Sequence, residues 1–318
     1  MQNDTTHTLN FTDHRRQLLE NRYVYAVVSR RAQGLSIGVN LNPDAFCNFD
    51  CPYCQVDRRI PSTKNKKIDL LILEKELQHI HFLITTEQLW EVAPFNTVEE
   101  NMRVVRDISI SGDGEPTVCP NFQESLQLVI QTHQAIRAFQ ERRSLAPEEC
   151  IRLQVFSNAT VFHKPSVRES LGLLWQHQGV VWAKLDAGTQ PWFEKVSGSS
   201  ISLDLIVGNI TWAASQYPIV IQAMFHAFAS TKDGVEVIEK PTDAEIEAWL
   251  GRLEKIITEG QGENRAQRIS WIQIYTTIRR PAQESVVPLS KEALESIADK
   301  ARALCAKISM STRISVST

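Results

Sequence analysis

No run of apolar residues in this 318-residue chain approaches the roughly 18 that a membrane-spanning helix needs. The most apolar stretch, Tyr217 to Ala229, is broken by Gln222 and His226. Neither sign of charge dominates: 34 Lys and Arg oppose 37 Asp and Glu, a formal net charge of −3. Nucleic-acid binders normally show strong basicity, so this balance argues against such a partner. No segment is of low complexity and no long period repeats. The polar, acid-bearing start from Met1 to Arg22 has neither the apolar core of a secretory signal nor the composition of a transit peptide. A cytoplasmic protein with no membrane association is expected. Cysteine is scarce, with six residues in all, too few for a disulfide scaffold. In a reducing compartment, a tight group of cysteines reads as metal-binding or catalytic.

Short apolar runs alternate with amphipathic stretches. Strands are expected at Leu35 to Leu41, Val104 to Ser111, Arg152 to Ser157, Val180 to Leu185, Ile219 to Phe225 and Ser270 to Thr277. Helices are expected at Ile68 to Leu83, Asn121 to Arg142, from Pro165 onward, Leu203 to Ser215, Ala244 to Ile257 and Lys291 to Ile308. Six strand–helix units in series imply parallel strands joined by right-handed crossovers. Six is fewer than the eight of a closed barrel. The expected fold is therefore α/β, a partial (β/α)6 TIM-like barrel over residues 35–288. An N-terminal extension (1–34) precedes it, and a C-terminal helix and tail (289–318) follow. Ligands of parallel α/β folds gather beyond the carboxyl ends of the strands, so residues just after each strand are the candidates.

After the first of these strands comes Cys47-Asn48-Phe49-Asp50-Cys51-Pro52-Tyr53-Cys54, a C-x3-C-x2-C pattern. Three thiolates on one loop can converge on one metal centre and leave one metal position open. The plainer alternatives are structural zinc or inert core thiols. No histidine lies within twenty residues of the loop on either side, and zinc sites commonly pair two C-x2-C groups. The second strand ends in Ser111-Gly112-Asp113-Gly114-Glu115-Pro116-Thr117, where bare backbone and a carboxylate suit an ammonium ligand. The third offers Ser157 and Asn158, with a helix cap or turn as the plain reading. The fourth offers Lys184 and Asp186, on one face of the strand and of opposite sign, with a salt bridge as the plain reading. The fifth and sixth add Gln222, Met224, Gln273, Tyr275 and Thr277, followed by Arg279.

The cysteine pattern, with Tyr53 before its last member, resembles the signature of the radical S-adenosylmethionine (SAM) superfamily. The turn at Gly112 to Pro116 resembles that superfamily's G-G-E-P motif, with Asp113 where glycine is usual. The resemblance covers about residues 35 to 280. It implies a [4Fe-4S] cluster on Cys47, Cys51 and Cys54 whose fourth iron chelates SAM. Reductive cleavage then yields a 5′-deoxyadenosyl radical that abstracts hydrogen from a substrate not identified by the sequence. On the same resemblance Tyr53, Gly114, Glu115, Ser157, Asn158 and Gln222 are assigned to the cofactor. An external flavodoxin- or ferredoxin-like donor is implied. Lys184, Asp186, Tyr275 and Arg279 are assigned to a small-molecule or peptide substrate, and the two cations point to an acidic or phosphorylated one.

A softer likeness rests on Tyr25 to Arg31, Asn40 to Pro43, Tyr53 to Gln55 and Tyr275 to Pro281. These runs resemble a branch related to the wybutosine-synthesis enzymes, so a tRNA-modifying enzyme is the alternative. Those enzymes carry a second cluster on upstream cysteines, and residues 1 to 46 contain none. A non-catalytic iron–sulfur redox or regulatory protein is a further alternative. Cys119, Cys150 and Cys305 lack ligand-like spacing and read as inert; His163 and His226 read as structural or surface residues.

Overall fold

A computed structural model of the chain describes residues 20–29, 32–56, 66–260, 269–278, 281 and 283–318. These residues form two compact units. The first takes its described residues from 20–46, 66–156 and 166–179, the second from 47–56, 157–165 and 180–318.

The first unit holds β1 (Val24–Ser29), β2 (Gly34–Val39), α1 (Leu70–Thr85), β3 (Val105–Ile110), α2 (Phe122–Arg142) and most of β4 (Arg152–Ser157) and α3 (Pro165–Gln176). β1 runs antiparallel to β2, whereas β2, β3 and β4 are parallel neighbours. All six residues of β2 are buried, as expected for a strand covered on both faces. Helix α1 starts where the Asp69 carboxylate accepts the N–H groups of Leu71 and Ile72. Its Leu73, Leu77, Ile80 and Ile84 recur at helical spacing and pack toward α2, which buries Leu126, Val129 and Ile130. Glu76 on the same helix is buried too. Its carboxylate accepts the backbone N–H of Arg22, Tyr23 and Val24 at 2.7–2.9 Å and anchors the start of β1.

The second unit holds β5 (Val180–Lys184), α4 (Gln190–Ser197), α5 (Leu203–Gln216), β6 (Ile219–Met224), β7 (His226–Lys232), β8 (Val235–Glu239), α6 (Asp243–Glu259), β9 (Ile269–Tyr275), β10 (Val286–Pro288), α7 (Lys291–Lys307) and β11 (Arg313–Ser317). Strands β5, β6, β9 and β11 lie side by side and parallel. A second sheet, ordered β10-β7-β8, is antiparallel. Thr242 and Ser290 cap α6 and α7 by accepting the N–H of Glu245 and Ala293. The core is built from Ile219, Ile221, Ile272 and Ile274 on the strands and Ile210, Trp249, Leu253 and Leu294 on the helices.

The chain is thus mixed α/β with mostly parallel principal strands. Every strand and helix expected from periodicity is present near its expected bounds. Among the described residues, five strands and α4 are additional. β1 lies within the expected N-terminal extension and pairs with β2, and β11 lies within the expected tail and pairs with β9. No described helix is long and apolar enough to cross a membrane.

Candidate functional site

The cysteine loop belongs to the second unit. Cys47, Cys51 and Cys54 are half-buried and unbridged. The Cys54 N–H donates to the Cys51 carbonyl at 2.9 Å, closing a turn with Pro52 at the position that favours proline. The Phe49 N–H donates to the Cys47 sulfur at 3.4 Å. Burial pushes the Cys51 thiol up, while the nearby Tyr53 hydroxyl and Lys184 ammonium pull the other way.

Three sets of contacts hold this loop. Asn158 donates its amide hydrogen to the Asn48 carbonyl oxygen at 2.7 Å, and Asn48 donates to the Thr160 hydroxyl at 2.5 Å. Thr160 in turn donates to the Asn158 oxygen at 2.7 Å, closing a ring of polar contacts. On another side, Phe49 packs edge-on against Phe193 of α4 at 5.5 Å, and the Asp50 N–H donates to the Ser197 carbonyl at 2.8 Å. Gly198 ends α4 with φ of 61°, and a Cβ there would lie 2.4 Å from the Asp50 carbonyl oxygen. Only glycine meets both conditions. Finally, the Tyr53 hydroxyl donates to Asp186 Oδ2 at 2.6 Å.

Asp186 follows β5 and is nearly saturated. Its Oδ1 accepts the Met224 N–H at 2.8 Å, and Lys184 Nζ lies 3.2 Å from Oδ2. Lys184 also donates to the Tyr275 hydroxyl at 2.9 Å and lies over the rings of Tyr53 and Tyr275. Burial alone would push the Lys184 ammonium down, but Asp186 and Tyr275 outweigh it and hold it above its ordinary range. Burial, reinforced by Asp186, raises the Tyr53 hydroxyl; burial also raises that of Tyr275, against the pull of Lys184. Lys184 is therefore not a free cation awaiting an anionic substrate: Asp186 neutralises it. Gln222 is likewise engaged, donating to Gln273 Oε1 at 2.9 Å. The Ser157 hydroxyl accepts the Ala159 N–H at 3.0 Å. Arg279 lies outside the described residues.

The turn after β3 belongs to the first unit. Asp113 accepts from the Asn40 amide at 2.5 Å and donates its N–H back to Asn40 Oδ1 at 3.1 Å, which accounts for an aspartate at this point of the turn. A Cβ on Gly114 would come within 1.8 Å of the Phe46 carbonyl oxygen, so this close approach requires glycine. Glu115 is buried. It caps a short 3-10 turn by accepting from the Thr117 N–H at 3.1 Å and the Thr117 hydroxyl at 2.5 Å. Cys119 is buried against Asn121, and burial raises its thiol, as befits an inert cysteine. Sequence reasoning missed Asn48 and Gly198. Asn48 lies between the cysteines, which is a usable signal; nothing local marks Gly198 as a partner of Asp50.

No family model matches the chain. By sequence it is similar to a UPF0026 protein of Methanocaldococcus jannaschii, 26% identical over 194 residues, 59% of this chain and 55% of that protein. The chain spans about half the length of the curated relatives it matches. By structure it is similar to Streptococcus suis SuiB bound to S-adenosylmethionine, with a TM-score of 0.54 and 11% identity over 91% of this chain and 52% of that one. SuiB has also been solved bound to the precursor peptide SuiA. A structure of TYW1 with a lysine-pyruvate adduct aligns with a TM-score of 0.49 and 15% identity over 86% of this chain and 74% of that one. The likeness to SuiB is one of fold.

Proposed function

We propose that the chain is a radical SAM enzyme acting on a small-molecule or peptide substrate. The observation that carries this reading is the donor set of the loop: three half-buried thiols, none in a disulfide, at C-x3-C-x2-C spacing. The likeness of fold to SuiB, solved with SAM bound, supports it. Among the described residues, no three His, Cys, Asp or Glu side chains converge as ligands of a single ion. A [4Fe-4S] cluster makes no such demand, because each thiolate binds a different iron. The donor set therefore fits a cluster held by Cys47, Cys51 and Cys54, with one iron left for SAM. Bound there, cluster and cosubstrate would supply one-electron abstraction of hydrogen from substrate, fed by an external low-potential donor.

The chain's own residues prepare the loop for this role. The Phe49 N–H delocalises charge from the Cys47 sulfur. Burial opposes the thiolate of Cys51, so the positive charge of a metal is what makes it a ligand. The Asn48, Asn158 and Thr160 ring and the bond from Tyr53 to Asp186 hold the loop in register. Lys184 and Asp186 cancel in charge and leave a buried, neutral surface beside Tyr275. Gly114, Glu115, Ser157, Asn158 and Gln222 remain the proposed contacts of SAM, with Arg279 on the substrate side. The expected partial barrel belongs to this reading.

The test is anaerobic incubation of iron-reconstituted protein with SAM and dithionite. Formation of 5′-deoxyadenosine is expected; a brown protein that leaves SAM intact would favour a non-catalytic iron–sulfur protein.

A further inference from the structure

Resting on the reading above, we propose that the substrate group met at the carboxyl ends of β6 and β9 is uncharged and hydrogen-bonds to His226. His226 opens β7, two residues beyond the last residue of β6, and is only 1% exposed, yet neither of its ring nitrogens has a hydrogen-bond partner. Thr277 stands two residues beyond the end of β9, and its buried hydroxyl is also without a partner. Met224 pairs with Tyr275 at the strand ends, and the Phe225 N–H continues that pairing by donating to the Tyr275 carbonyl at 2.8 Å. His226 and Thr277 therefore occupy corresponding positions just past two paired strands, where parallel folds place their ligands. Buried polar groups in native proteins are nearly always bonded, and an exception in this location points to a missing ligand.

The chemistry of that ligand follows from what surrounds the imidazole. Its ring meets those of Tyr53 and Phe228 edge-on at 5.2 and 4.9 Å. Tyr53, Met224 and Val286 form an apolar cluster against which Phe228 and Tyr275 pack. The charged groups nearby, Lys184 and Asp186, are already paired with each other. Burial lowers the imidazole to about 4, so at neutral pH it carries one N–H donor and one bare nitrogen acceptor. An anion would meet the bare nitrogen without a cation to balance it. A carboxamide or a nitrogen heterocycle carries both a donor and an acceptor beside a flat apolar body, so it can bond the imidazole through either kind of nitrogen without bringing a charge. His226 is covered in this structure, so a ligand reaches it when the half-buried Phe228 or Tyr275 side chain shifts.

Three probes of one shape test the charge: benzamide, benzoate and benzamidine, titrated into the full chain by saturation-transfer NMR without iron or SAM. Benzamide is expected to bind, with benzoate and benzamidine each weaker by about tenfold or more. His226→Phe keeps the ring contacts and is expected to lose benzamide by about tenfold; His226→Gln keeps a donor and an acceptor and is expected to retain it. The melting temperature of His226→Phe should match or exceed that of the wild type. The proposal is overturned if a charged probe binds as well as benzamide, if no probe binds, if His226→Phe binds unchanged, or if His226→Phe melts lower. Because no SAM is present, these outcomes are independent of the 5′-deoxyadenosine assay, whose failure would sink the broader reading instead.

Discussion

Tyr53 donates its hydroxyl hydrogen to Asp186 at 2.6 Å, and this bond fastens the cysteine loop to a carboxylate that also pairs with Lys184 and accepts the Met224 N–H. The loop and the strand ends β5 and β6 are therefore coupled through one side chain.

Tyr53→Phe removes that bond and leaves the rest of the ring in place. A hydrogen bond to a charged, buried acceptor contributes about 2 kcal/mol, so urea unfolding should show a loss of that order. Iron retention after reconstitution should fall as well. Unchanged stability would show that Asp186 is held by its other partners alone.

Anaerobic reconstitution of the wild type should load about four irons and four sulfides per chain. Changing Cys47, Cys51 or Cys54 to Ala singly should abolish the brown colour, whereas Cys119→Ala should leave it. A loading near eight irons would mean that the buried cysteines build a second cluster.

Gly198→Ala places a side chain at φ of 61° and against the Asp50 carbonyl. Strain of this kind costs roughly 1–3 kcal/mol. Calorimetry should register the loss, and the loop should hold iron less tightly. Gly208→Ala, at an open helical position, is the control and should not destabilise.

Stability should depend on pH through His226. Folded, its imidazole protonates only near pH 4; unfolded, near 6.5. Between those values the unfolded chain binds more protons, so stability rises with pH across the window and is lost as pH falls through it. The full contribution is roughly 3 kcal/mol. Urea midpoints from pH 7 to pH 4 should therefore fall more steeply for the wild type than for His226→Phe. Burial also lowers His133, in the same direction, but both proteins contain it, so the difference isolates His226.

The helices and the buried parallel strands were legible because their signals are local. Leu73, Leu77 and Ile80 recur at helical spacing, and Thr242 and Ser290 announce helix starts. The β7–β8 hairpin carries a local signal of its own: Asp233-Gly234, both at positive φ, between Lys232 and Val235. Strand β11 carried little, since Arg313 to Ser317 is short and becomes a strand only by pairing with β9. The Lys184 and Asp186 pair was visible as two opposite charges on one face, but not whether they would serve a ligand or each other.

The thiol spacing, the turn at Pro52 and the capping residues are relations among neighbours along the chain, and local stereochemistry determines them before folding. Asn48 with Asn158, Asp50 with Gly198 and Tyr53 with Asp186 are relations between distant residues; the last pair lies 133 positions apart. Whether such groups meet depends on strand register and helix packing, because a hydrogen bond tolerates only a few tenths of an ångström. The same dependence left His226 buried without a partner, a feature of position in the fold rather than of residue type.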